Sequence, residues 1–187
     1  MQYSLTDLLI FFLIYGFLGF LLESIFRSAV TRKLTISRGF LTNYFCPLYG
    51  ISAIVIIQIF TLCEITIESR FNALLAATLC SMAAVTVFEY VVGFTLDKFF
   101  NLKLWDYSQN PLNLNSYICL EFTLMWGAAA IFLTSFLHPI VEVAVMILPQ
   151  PIEFISVCFI ASILIVNASF NMRSEEHTSE LQSHLNL

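Results

Sequence analysis

Charge is what this chain has least of. Asp, Glu, Lys and Arg make up 11% of its 187 residues, against about 25% in a soluble domain. So few charges cannot cover the surface of a water-soluble fold. Hydrophobic residues make up 59% and the mean hydropathy is +0.86, so we read an integral membrane protein with one transmembrane domain over residues 1–172. Several motifs are missing as well. No G-x-x-x-x-G-K-[ST] occurs, which excludes ATP binding through a P-loop, and neither H-E-x-x-H nor G-x-S-x-G is present. We therefore expect no enzyme motif, no cofactor and no nucleic-acid partner. The five cysteines (Cys46, Cys63, Cys80, Cys119, Cys158) include no C-x-x-C pair and sit in or beside apolar runs. They read as small buried hydrophobes, not as disulfides or zinc ligands. The N-terminus lacks a basic n-region and a small-residue cleavage site, so the first apolar run is expected to be retained.

The C-terminal residues stand apart. Arg173–His184 reads RSEEHTSELQSH, which back-translates to a common short-read sequencing adapter. We expect residues 173–187 to be a foreign, disordered tail that replaces the native C-terminus. Without it 7 basic and 10 acidic residues remain, and the net charge falls from −5 to −3.

Five apolar runs approach or exceed the length of a membrane-crossing helix. They are Leu5–Leu22, Leu48–Leu62, Asn72–Leu96, Ile118–Leu137 and Ile152–Phe170. The expected fold class is all-α, a polytopic bundle of five transmembrane helices. Lys and Arg orient it. Arg27, Arg32, Lys33 and Arg38 follow the first run and Lys98 and Lys103 follow the third, whereas only Arg70 follows the second. Basic residues favour the cytoplasmic side, which places the N-terminus outside and the C-terminus inside. Residues 139–148, between two prolines, suggest a short helix in the outer interface or a partly buried connector.

Within this apolar frame Glu89 is the exception. It lies in Phe71–Phe94, which holds no other charge. An ionisable group at that depth costs several kcal/mol unless it is paired or faces a polar cavity. In the orientation above it lies about 7 Å from the cytoplasmic boundary at 1.5 Å per residue. At helical spacing its face reads Thr78, Met82, Thr86, Glu89, Gly93, Asp97, a small and polar stripe that should meet protein or water, not lipid. The first span repeats the arrangement with Gly16, Gly19, Glu23 and Arg27. Its glycines permit close backbone approach, and Glu23–Arg27 is an i,i+4 acid–base pair in the favourable order. With Glu121 at the start of the fourth span, three carboxylates are expected to converge at the inner leaflet.

Two loops carry the remaining signals. The first contains Arg38-Gly39-Phe40-Leu41 and Cys46-Pro47-Leu48-Tyr49-Gly50, in which Pro47 suits a first helical turn. It reads as a shaped, partly re-entrant segment. The second contains Trp105-Asp106-Tyr107-Ser108 followed by Asn110, Pro111, Asn113 and Asn115. Trp and Tyr suit the interface, while Asp and Asn bind local backbone in turns. The polar set could be a packing device, with Arg38 and Arg27 neutralising the acids, a ligand site, or a docking surface. A metal site from Glu23, Glu89 and Glu121 lacks the His that such sites recruit, and none is expected.

The ordered motifs carry a resemblance. Residues 16–23 (GFLGFLLE), 38–41 (RGFL), 46–50 (CPLYG), 88–90 (FEY), 105–108 (WDYS), Asn113-Leu114-Asn115, Ile118-Cys119-Leu120, Trp126-Gly127 and His138-Pro139 resemble the bacterial ABC-transporter type IV permease (CmpB-like) family over nearly the whole chain to about Met172. Phe20 stands where that family has Trp and Ser37 where it has Asn. Ser116-Tyr117 stand where it reads Gly-Arg, so a second cationic group beside the acids is missing here.

The resemblance implies a multi-pass protein of the bacterial plasma membrane, in contact with membrane lipid and acting as a permease subunit that needs a separate cytoplasmic ATPase. Five spans are few for enclosing a transport path, so a homo-oligomer is expected. The candidate substrate-binding or gating residues are Glu23, Arg38, Tyr49, Glu89, Trp105, Asp106, Tyr107, Asn113, Asn115 and Glu121, around an inner-side cavity. The alternatives are an intramembrane enzyme using Glu89 as general acid or base on a lipid or isoprenoid, and a non-transporting membrane partner or sensor.

Overall fold

The computed structural model describes residues 3–34 and 44–185, with side chains described through Ser169. Among the described residues the fold is all-α apart from one hairpin with strands of two residues each. Its elements are α1 (Leu5–Thr31), α2 (Pro47–Thr66), α3 (Arg70–Phe100), β1 (Asn113–Leu114), β2 (Ile118–Cys119), α4 (Leu120–Phe132), a π-helical turn (Leu133–Leu137), α5 (His138–Met146) and α6 (Gln150–Leu185). Among the described residues five stretches are long and apolar enough to cross a membrane: Leu5–Thr31, Pro47–Thr66, Arg70–Phe100, Leu120–Met146 and Gln150–Ser169.

Local chemistry sets the helix ends. Ser4 caps α1: its Oγ accepts from Asp7 N at 3.1 Å, and Asp7 Oδ2 accepts from Ser4 N at 2.7 Å. This reciprocal pair satisfies two of the free N–H groups of the first turn. Pro47 opens α2, where its missing N–H costs nothing. Asn101, at φ 51°, turns out of α3 in the left-handed conformation that Asn tolerates.

Two boundaries differ from the sequence reading. α1 continues nine residues past Leu22, so Glu23 and Arg27 stand on helix. The separate helix expected over 139–148 does not exist, because α5 continues α4 through the π-helical turn. Pro139 explains the turn. Its ring would clash with the carbonyl four residues back in a regular helix, and a wider turn relieves such a clash. His138 N–H reaches Leu133 O, five residues back, and the Thr134 hydroxyl donates to Ala130 O at 2.8 Å. α6 continues as helical backbone to Leu185, through residues that the sequence reading expects to be disordered.

The chain forms two compact units, Met1–Ile51 with Val145–Leu187, and Ser52–Ala144. In the first, α1 packs on α6, and α1 also receives the segment that leads into α2. Gly16 and Gly19 are what let it in. A Cβ on Gly16 would fall inside the Phe45 ring, and one on Gly19 would collide with Tyr49 Cβ. Cys46 N–H donates to Gly16 O at 3.0 Å, so backbone meets backbone there. The close approach expected of these two glycines is present.

In the second unit α3 packs on α4 and on the hairpin. The buried residues of α3 are Ala73, Ala77, Ser81, Val85, Glu89, Gly93 and Leu96. Leu75, Leu79, Val87 and Val91 are exposed. Small and polar residues inside with large apolar ones outside is the reverse of a soluble helix, and it fits one surrounded by lipid.

Candidate functional site

The C-terminal half of α3 carries the site, and each residue of the polar stripe finds a partner within the second unit. A Cβ on Gly127 of α4 would meet Met82 Sδ at 2.5 Å, with Thr78 at 3.8 Å. Thr86 Oγ1 donates to Thr123 Oγ1 at 3.2 Å. Asp97 Oδ2 accepts from the Tyr117 hydroxyl at 2.5 Å. Gly93 makes room for Trp105 and Tyr117, both 3.3 Å from where its Cβ would be.

Glu89 is the centre of this face and is only 4% exposed. The Tyr107 hydroxyl donates to Oε1 at 2.9 Å, and the Trp126 indole N–H donates to Oε2 at 3.0 Å. Both donors are neutral, and no Lys or Arg among the described residues forms an ion pair with Glu89. In the first unit Arg27 neutralises Glu23 on its own helix, with Nε at 2.9 Å and Nη2 at 2.6 Å. The geometry leaves Glu89 a choice of proton state. An indole N–H can only donate, but a phenol can donate or accept. Tyr107 can thus serve a carboxylate or a carboxylic acid without moving.

The α3–α4 connection is folded onto this centre. The Tyr107 ring stacks on Phe122, with centroids 4.6 Å apart. Tyr107 N–H donates to Ser116 O at 2.9 Å, and Trp105 Nε1 donates to Tyr117 O at 2.8 Å. The W-D-Y segment is thereby stitched to the hairpin. Asn115 (φ 52°) and Ser116 (φ 66°) both have positive φ. With Tyr117 N–H bonded to Leu114 O at 3.1 Å they make a turn whose two central residues both have positive φ, as in a primed turn, within a three-residue loop, since Leu114 pairs with Ile118. Tyr117 is held edge-on by Tyr90 at 5.5 Å and Phe94 at 6.2 Å. Its phenol is pushed up to about 12, first by the hydrogen bond it gives Asp97, then by burial and the nearby negative charge. Asp106 is held below its usual range, chiefly by hydrogen bonds from Ser108, with Lys103 adding a smaller attraction.

Of the ten residues singled out in the sequence, seven lie in this unit: Glu89, Trp105, Asp106, Tyr107, Asn113, Asn115 and Glu121. Asn115 Nδ2 donates to the Tyr90 hydroxyl at 2.9 Å, and Asn110 Nδ2 to Glu121 Oε2 at 3.2 Å. Asn113 Nδ2 donates to Asn110 O at 2.8 Å, within its own turn. Glu23 and Tyr49 belong to the first unit, where Glu23 pairs with Arg27 and Tyr49 packs on Gly19. Arg38 lies outside the described residues.

Three partners escape a reading of the sequence as a line: Trp126 for Glu89, Tyr117 for Asp97, and Phe122 under Tyr107. Trp126 carried a usable signal, because an indole N–H in an apolar span needs an acceptor. A cavity of about 310 Å³ in this unit is lined by Phe60, Glu64, Arg70, Leu74, Thr134, Ser135 and Pro139, and none of the ten candidates lines it. Among the described residues no group of three or more His, Cys, Asp or Glu is placed to hold a metal.

Comparison with known families agrees with the motif order. The family model described as "Putative ABC-transporter type IV" matches residues 10–172. The chain belongs to this family. Every part of the Glu89 centre, from Thr78 to Gly127, falls inside the matched range. No curated protein and no solved structure matches the chain.

Proposed function

We propose that this chain is the membrane-embedded permease subunit of an ABC-type transporter and that the α3–α4 connection is its coupling element to a separate ATPase. Membership of an ABC-transporter-type family and five membrane-capable helices support a transporter-like membrane protein. The observation that carries the coupling role is the bracing of residues 105–119 on the buried Glu89 carboxyl through Tyr107. A connector that only joined two helices would not need a buried acid, two indole hydrogen bonds and a phenol–carboxylate pair beneath it. In the orientation set by Lys and Arg this connection faces the cytoplasm.

In this connection Leu112 and Leu114 are 77% and 54% exposed, and the acid Asp106 is exposed as well. Apolar anchors rimmed by charge suit docking to a protein. Force applied there would pass into α3 and α4, which share Glu89, Thr86 and Thr123. Substrate would then be handled by an assembly of such chains, since five spans supply few walls for a path.

The experiment is co-purification of the chain in mild detergent from its native host, followed by ATPase assay in vesicles. An ATPase should co-purify, and Leu112→Asp with Leu114→Asp should release it while leaving the membrane subunit folded. If no ATPase associates, and ATP hydrolysis never depends on the chain, the proposal fails. The acid–base alternative for Glu89 is less favoured, because both its oxygens are already engaged by protein donors.

A further inference from the structure

The cavity beside the first turn of α3 lies about 28 Å along that helix from Glu89, at 1.5 Å per residue. Its volume is about 310 Å³, and its walls include Phe60 and Glu64 of α2, Arg70 and Leu74 of α3, and Thr134 and Ser135 of the π-helical turn. All of them belong to the second unit. α2 and α3 line the cavity in the same way. Glu64 stands near the end of α2 and Arg70 opens α3. Each has an apolar residue, Phe60 or Leu74, one turn deeper on the same helix face, about 6 Å along the axis. The cavity thus has an acid and a base at its rim and apolar walls further in.

The two charges share this space without pairing. The ion pairs among the described residues are Glu23–Arg27 and Lys103–Asp106, and neither Glu64 nor Arg70 makes a hydrogen bond there. The Ser135 hydroxyl makes none either, while Thr134 donates to Ala130 O and keeps its oxygen as an acceptor. A ligand that answers these groups carries both signs. The guanidinium fork of Arg70 matches a phosphate, and the Glu64 carboxylate accepts from an ammonium. Phe60 and Leu74 offer apolar contact. The rim is open, since Glu64, Arg70 and Ser135 are exposed. A free solute needs most of its surface enclosed, whereas a lipid is held at the membrane boundary by its own acyl chains. Leu74 is itself 40% exposed, and its neighbours Phe71 and Leu75 are exposed as well, so the apolar wall runs on into lipid-facing surface. We propose that this cavity binds the headgroup of a zwitterionic phospholipid with a primary ammonium, its phosphate at Arg70 and its ammonium at Glu64. Nothing in this reading depends on the ATPase-coupling role of the α3–α4 connection.

The test is native mass spectrometry of the full chain in detergent, titrated separately with phosphatidylethanolamine, phosphatidylglycerol and phosphatidylcholine. The first molecule of phosphatidylethanolamine should bind about tenfold more tightly than either of the others, the effect of one charge-assisted contact. Phosphatidylglycerol has no ammonium, and the quaternary ammonium of phosphatidylcholine has no N–H to give. Glu64→Gln should abolish the preference among the three lipids. Arg70→Gln should weaken phosphatidylethanolamine and phosphatidylglycerol together, by about tenfold. Ser135→Trp keeps both charges but fills the cavity, and should remove the tight binding. The changed residues are all exposed, so the variants should stay folded. The proposal is overturned if the three lipids bind the parent alike, if the preference survives both charge variants, or if Ser135→Trp leaves it intact. It is also overturned if soluble phosphoethanolamine displaces the lipid at equal concentration, since the ligand would then be a free solute.

Discussion

Removing the Glu89 carboxyl should loosen the α3–α4 connection, and the size of the effect follows from its two hydrogen bonds. Glu89→Ala deprives both the Tyr107 hydroxyl and the Trp126 indole N–H of this acceptor. Interhelical hydrogen bonds inside membrane proteins are worth about 0.6 kcal/mol on average and up to about 1.7. Two of them set the loss at about 1–3 kcal/mol, with the cavity left by the side chain pushing towards the upper end. Glu89→Gln should cost under about 1 kcal/mol. Its amide oxygen still accepts from Trp126, and its amide nitrogen donates to Tyr107, which can turn to accept. Trp126→Phe should cost about as much as one of the two bonds. The pair Glu89→Ala with Trp126→Phe should lose less than the sum of the singles, because residues in contact do not add. Reversible unfolding of the purified protein in mixed micelles reads all four variants. Hydrogen exchange over residues 105–119 reports whether the loss is local. If Glu89→Ala is as stable as the parent, or Glu89→Gln is as damaging as Glu89→Ala, Glu89 does not brace the connection and the coupling argument loses its carrier.

The other predictions concern packing, backbone and ionisation. Gly19→Ala should destabilise by about 1–3 kcal/mol, because its Cβ meets Tyr49 Cβ and Cγ close to the backbone. Gly127→Ala, facing the flexible end of Met82, should cost clearly less, and the two unfolding midpoints measured side by side decide this. Ser116→Gly should stabilise by about 0.5 kcal/mol: relief of a left-handed residue is worth about 1–2, offset by about 0.4–1 of added unfolded-state entropy. Tyr117 ionises at about 12 in the folded protein against 10.0 for a free phenol, so its contribution to stability is complete below pH 10 and is lost as pH rises towards 12. In a spectrophotometric titration Tyr117→Phe should remove the phenol that ionises at about 12 and flatten this alkaline loss of stability. An unchanged high-pH phenol would contradict the Tyr117–Asp97 pairing.

Much of the frame is legible without coordinates, because it depends on neighbours along the chain. Run length and apolarity suffice for five spans, and i,i+4 spacing suffices to put Thr78, Met82, Thr86, Glu89, Gly93 and Asp97 on one face. All six meet α4 or the hairpin. The close approach at Gly16 and Gly19, the Glu23–Arg27 pair and Pro47 at a helix start are local in the same sense. The boundaries were harder. A single proline suggests a break at 139, but a π-helical turn carries the helix past it. That choice rests on where the displaced carbonyls find donors, which composition does not encode.

Which donors reach Glu89 was decided by tertiary structure alone. Tyr107 is 18 residues away and Trp126 is 37, and no periodicity links such separations. The crossing of α3 and α4 brings Trp126 to the acid, and a hairpin turn with positive φ at Asn115 and Ser116 folds the connection back so that Tyr107 arrives from the other side. By itself the sequence determined that a charge sat in an apolar helix and which face it shared. The long-range partners that set its role depend on how the helices pack, because hydrogen bonds are directional and short and only the packed helices bring donor and acceptor within reach.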